Sequence, residues 1–122
     1  MRILKYRTFH KWAKLEGLSD SSLKKAINEI DQGLFEANLG SGLYKKRVAK
    51  KGFGKSNGYR TILAFKQNDR AIFMYGFAKN ERDNIDNKEE IIYKKLARYF
   101  LGITEITLDV LIKNGELFEV TL

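Results

Sequence analysis

Two runs rich in aromatic and β-branched residues, Tyr59–Phe65 and Ala71–Phe77, are separated only by Lys66-Gln-Asn-Asp-Arg70. Runs of this kind on either side of a polar turn predict an antiparallel hairpin. Both are nearly continuous in apolar residues instead of alternating. They therefore read as central strands that need cover on both faces.

The flanking sequence supplies helices for that purpose. Arg2–Tyr6 reads as a short first strand. Phe9, Trp12, Ala13 and Leu15 then recur at helical spacing and stop at Gly17. Ser19-Asp20-Ser21-Ser22 offers N-cap chemistry for a second helix with the apolar stripe Leu23, Ala26, Ile27 and Ile30, ended by Gly33. Residues 36–42 read as loop, Leu43–Val48 as a strand, and Ala49–Gly58 as a basic, glycine-rich connection. Asp86-x-x-Glu89 has the form of a capping box. It opens a third helix carrying Ile92, Leu96, Tyr99 and Phe100. Thr104 opens a fourth, closed by Asn114-Gly115, and Leu117–Val120 reads as a last strand. The fold class expected is α+β, a small antiparallel sheet packed against an N-terminal helical hairpin, with C-terminal helices. At 122 residues the chain is one domain.

Charge is distributed unevenly. Eight of the 23 basic residues and none of the 15 acidic ones fall between Ala37 and Asn68, so the net charge of +8 resides in that span. Such concentration marks a footprint for a polyanion. Tyr44, Phe53 and Tyr59 are interleaved with the cations. Gly52, Gly54 and Gly58 let backbone approach a ligand closely.

Several chemistries are disfavoured. There is no cysteine and one histidine, so no cluster has zinc spacing. His10 sits between helix residues and reads as structural. No apolar run approaches the roughly 20 residues of a membrane span, and the charged N-terminus lacks a signal-peptide core. A cytoplasmic protein is expected. Ala49–Ser56 imitates a phosphate-binding loop, but the helix such a loop must open is replaced by Asn57-Gly58 and a strand. Asp83, Asp86, Glu89 and Glu90 suit the first turn of a helix and make a poor metal set. What remains is a set of Lys and Arg needing no metal or cofactor, with Lys79 and Arg82 just past the hairpin. Such a set can cleave RNA, which carries its own nucleophile in the 2′-OH. The protein then has to move protons and stabilise the pentavalent phosphate. Arginine braces the phosphate bidentately, and a lysine crowded by cations serves as acid or base.

Three ordered blocks carry a resemblance: Gly42-Leu-Tyr-Lys-Lys-Arg-Val-Ala49, Gly58-Tyr-Arg-Thr-Ile-Leu-Ala-Phe65 and Tyr75-Gly-Phe-Ala-Lys-Asn-Glu-Arg82. Together they resemble the RelE/HigB family of toxins from type II toxin–antitoxin pairs. The resemblance implies a metal-free endoribonuclease that cuts mRNA in the ribosomal A site. It also implies a cognate antitoxin, expected as a helix-turn-helix protein. Carried over by position, Lys45 and Arg47 are the strand cations and Arg60 is the arginine after Gly-Tyr. Where well-known members have a further cation and then a tyrosine, this chain has Asn80 and no nearby aromatic. Proton transfer is then expected of Lys55, and base stacking of Tyr59 or Phe53. The catalytic set expected is Arg47, Lys55, Arg60 and Lys79, and the RNA-binding set Lys45, Lys50, Lys51, Phe53, Tyr59 and Arg82. Residues 103–122 form a C-terminal extension like that of a HigB-like subgroup. Two other functions stay open: a ParE-like inhibitor of DNA gyrase and a plain nucleic-acid-binding accessory protein.

Overall fold

The computed structural model describes residues 1–50 and 54–121, with side chains at all of these except positions 54–56. In chain order the elements are β1 (Arg2–Tyr6), α1 (Arg7–Glu16), α2 (Asp20–Asp31), β2 (Ala37–Gly40), β3 (Leu43–Lys50), β4 (Gly54–Lys66), β5 (Arg70–Ala78), α3 (Asn87–Gly102), α4 (Glu105–Lys113) and β6 (Leu117–Glu119). The strands form one sheet in the order β2-β3-β4-β5-β1-β6. Two of the expectations on strands need correction. The segment 36–42 contains a strand, β2, and β4 begins at Gly54, inside the expected connection. The sheet is also not wholly antiparallel, because β1 runs parallel to β5. A parallel neighbour requires a long crossover, and everything from α1 to β4 serves as one.

Helix ends follow local chemistry. Gly17 takes φ +70° at the end of α1, where a residue without Cβ is favoured. Ser19 and Thr104 accept hydrogen bonds from the backbone N–H of Ser22 and Thr107, capping α2 and α4. Asp86 and Glu89 form the reciprocal capping box of α3.

Both faces of the central strands are covered. On one face Phe9 and Ala13 of α1 and Leu23, Ala26, Ile27 and Ile30 of α2 pack with Val48, Tyr59, Leu63, Phe65 and Phe73. α1 lies chiefly on β5 and α2 on β3. On the other face Ala97 and Phe100 of α3 and Leu108 of α4 close over Leu43, Ile62, Ala64, Ile72, Met74 and Phe77. Two arginines tie the C-terminal elements to the sheet. Arg2 pairs with Glu105, Asp109 and Glu119. Arg70, 5% exposed, donates to the carbonyls of Phe100 and Ile103 at 3.0 and 2.6 Å, holding the end of α3. His10 stacks on Phe118 of β6 with ring centroids 3.8 Å apart, and burial lowers its pKa.

A bulge in β5 decides what faces where. Ile62 pairs with Tyr75 but Leu63 with Phe73, so Met74 is the extra residue. Two residues then oppose one and the alternation shifts phase. Phe73 points to the α1/α2 side, whereas Tyr75 and Phe77 point to the α3 side. Gly76 comes back under Trp12, where an added Cβ would lie 2.2 Å from the indole ring. Gly76→Ala is therefore expected to cost about 1–3 kcal/mol by overpacking, read as a lowered midpoint in thermal unfolding. In a Trp12→Leu background the same change is expected to cost much less, because the clash is with that ring.

Candidate functional site

The acid-free span folds into β3 and β4, and alternation sorts its cations between the two faces. Lys45 and Arg47 project to the α3 side, and Arg60 of β4 is the direct cross-strand partner of Arg47. Three like charges on adjacent strands repel unless an anion sits between them. Glu36, just before β2, supplies that anion. Its carboxylate lies 3.1 Å from Arg47 Nε, 3.2 Å from Arg60 Nε and 3.5 Å from Lys45 Nζ. Exposure is graded across the cluster. The Arg60 side chain is 4% exposed and forms the floor, while Arg47 at 48% forms the rim.

The segment after β5 joins this cluster. Lys45 Nζ donates to Asn84 Oδ1 at 3.1 Å. Arg82 donates from Nε to the Asn84 carbonyl, and through both terminal nitrogens to Glu89 at 3.0 and 2.6 Å. Its guanidinium lies over the rings of Tyr75 and Phe77 and bonds the Tyr75 hydroxyl. Tyr75 in turn stacks on Tyr93 of α3, whose hydroxyl burial pushes to a pKa of about 12. Lys79, just past the end of β5, donates to Asp83 at 3.2 Å. A continuous polar chain thus runs from Glu36 through Lys45 and Asn84 to Arg82 and the first turn of α3.

Other candidates lie elsewhere. Tyr59 is 3% exposed on the α1/α2 side, its ring against Trp12 and its hydroxyl donating to the Glu16 carbonyl. It packs the core and presents no face to a base, contrary to its expected stacking role. Lys50 lies over that same ring, away from Arg47. Lys51 and Phe53 fall outside the described residues, as does the side chain of Lys55. Lys46, 4% exposed, pairs with Glu29 of α2 at 2.9 Å behind the sheet.

Two site residues are missing from the expectations drawn from sequence. Glu36 is the last acidic residue before the acid-free span, and that position was its only signal. Phe35, 38% exposed, borders a shallow depression at the sheet edge with Glu36, Lys46 and Arg47, its ring edge-on to Tyr44 of the α1/α2 side. It carried no signal, since a lone aromatic beside a helix end reads as core.

The site's connection to α3 should be visible in acid. The Arg82 guanidinium, with the Asp86 N–H, holds the Glu89 carboxyl below its ordinary value of 4.5. A carboxyl lowered on folding adds stability above its unfolded pKa and loses it as pH falls through the folded one. Glu89→Gln is expected to be less stable than wild type at neutral pH and equal to it in strong acid. Its plot of unfolding free energy against pH should be shallower below 4.5. An unchanged acid limb would place the stabilisation elsewhere.

Among the described residues no three His, Cys, Asp or Glu side chains gather as metal ligands do, and no helix is long and apolar enough to cross a membrane. No curated protein matches the chain. The family model described as "RelE toxin of RelE / RelB toxin-antitoxin system" matches residues 1–120, nearly the whole sequence. This chain belongs to the RelE toxin family, the toxin half of a toxin–antitoxin pair, and an antitoxin is its partner.

Proposed function

We propose that the chain is an endoribonuclease that cuts mRNA on the translating ribosome in the cytoplasm, using arginine and lysine and no metal. The observation that carries this reading is the convergence of Lys45, Arg47 and Arg60 on one carboxylate. Cations held that close around an anionic oxygen are spaced for a phosphate.

In this reading the 2′-OH of the RNA attacks the adjacent phosphorus and the bond to the 5′ oxygen breaks. The 2′-OH gives up its proton and the leaving oxygen takes one. Arg60, rigid in the middle of β4, and Arg47 at the rim brace the non-bridging oxygens as charge builds on them. Lys45 adds a third charge. Glu36 is a positioning residue: it keeps two guanidinium groups together on neighbouring strands until the phosphate arrives. Proton transfer falls to Lys55, the role implied by the family resemblance, with Lys79 as the second lysine. Phe35 replaces Tyr59 as the exposed ring a base can stack on. Arg82 acts through Glu89 and Asn84, fixing the segment that holds Lys45.

Ribosome dependence is what the family resemblance implies, and among the described residues the cations lie on an open, shallow surface that suits a substrate presented by a larger particle. The purified toxin is expected to cut mRNA on translating ribosomes and to leave the same naked RNA intact. Equal cleavage of naked RNA would overturn the ribosomal part. Intact mRNA together with gyrase-linked DNA breaks would overturn the nuclease itself.

Two substitutions separate chemistry from folding. Arg60→Lys keeps a charge but loses the planar fork, and a hundredfold or greater drop in cleavage rate is expected. Lys46→Ala breaks the pair with Glu29 behind the sheet. It is expected to cost about 3 kcal/mol of stability while the rate per folded molecule stays near wild type. If Lys46→Ala lowers that rate as far as Arg60→Lys does, the working face of β3 has been misassigned.

A further inference from the structure

The outer face of α3 carries Lys88, Ile91, Ile92, Lys95, Arg98 and Tyr99, all exposed. Their spacing places them on one side of the helix, opposite Ala97 and Phe100, which pack on the sheet. Ile91, Ile92 and Tyr99 are 56%, 61% and 50% exposed. From Lys88 to Tyr99 the stripe is about 16 Å long, at 1.5 Å per residue. It contains no acidic residue. Among the described residues Lys88, Lys95 and Arg98 have no ion pair, although Lys94 on the same helix pairs with Glu90. Two adjacent isoleucines left in water, framed by unpaired cations, mark a binding surface.

We propose that this face docks an acidic amphipathic segment of the antitoxin, with aliphatic side chains against Ile91, Ile92 and Tyr99 and Asp or Glu reaching Lys88, Lys95 and Arg98. The proposal rests on the family's antitoxin partner and not on the nuclease reading. Charge selects an acidic occupant. Tyr99 and the cations could serve a nucleic acid, but the two isoleucines, both more than half exposed, gain only from an apolar partner surface, which an amphipathic protein segment supplies and a sugar–phosphate chain does not. A second copy of this chain is a poor occupant, since a two-fold contact through this face would set its cations against their own equivalents. A helix of about three turns matches the stripe and packs on it by the usual interdigitation of side-chain rows. The polar chain from Glu89 through Arg82 and Asn84 to Lys45 connects the docking helix to the cation cluster.

The test uses the toxin–antitoxin complex, co-expressed and purified. The antitoxin is separated in denaturant, refolded and titrated onto refolded toxin by calorimetry. Two variants are compared with wild type, Ile91→Ser/Ile92→Ser and Lys88→Glu/Lys95→Glu/Arg98→Glu. Every altered side chain is exposed, so both should match wild type in circular dichroism and thermal midpoint. Each is expected to bind antitoxin at least about thirtyfold more weakly. The charge variant should also lose most of the salt dependence of binding. Both should stay toxic on induction and no longer be relieved by co-expressed antitoxin. Unchanged affinity in either variant overturns the proposal. Lost toxicity with antitoxin affinity intact also overturns it, and marks the face as a ribosome contact. Affinity is read without a cleavage assay, so a failure of the nuclease reading leaves this result independent.

Discussion

β4 and β5 bury side chains on both faces, and that single demand arranges the rest of the molecule. A strand pair of this kind cannot rest on one layer of helices with its other side in water. The chain meets the demand with α1 and α2 on one side and α3 and α4 on the other. β1 is inserted next to β5, parallel to it. Arg2 and Arg70 then hold the second cover in place through the end of α3 and the start of α4. The C-terminal elements are thus half of the enclosure and not an appendage.

The cation site lies where that enclosure stops. Arg60 lies in the middle of β4, just before the buried Ile62 and Ala64 take over on its face, and Arg47 stands opposite it. Arg60 is buried while Arg47 is half in solvent, and a counter-ion between them offsets the repulsion that solvent does not screen. Glu36 supplies one at the cost of occupying the space itself. The three cations are thereby held in place around one carboxylate. Lys46, one residue out of phase, shows the same chemistry turned to structure: its partner Glu29 lies behind the sheet and serves to seat α2.

Arg82 illustrates how a functional-looking cation can work at one remove. It is spent on Glu89, Tyr75 and the Asn84 carbonyl, and through Asn84 it steadies Lys45. The first turn of α3 is thereby coupled to the cluster, with the capping box of Asp86 and Glu89 as the joint.

The sequence by itself determined the helices, their caps and the strands other than β2 and the start of β4. Apolar periodicity and the Gly17, Ser19, Asp86 and Thr104 signals are local, and local backbone chemistry does not depend on partners. It also determined that Lys45 and Arg47 share a face from which Lys46 is excluded, because strand alternation is intrinsic to the backbone. Tertiary structure alone decided three things. The bulge at Met74 split Phe73 from Tyr75 and Phe77, which alternation would have kept on one face. Tyr59 went under α1, since the hydrophobic gain of burying a ring beside Trp12 is fixed only when α1 docks. Glu36 came to the centre of three cations because β2 pairs with β3, a contact between segments whose charges, read along the chain, merely adjoin. Pairing and packing place side chains from distant positions together, and no local pattern records which of them will meet.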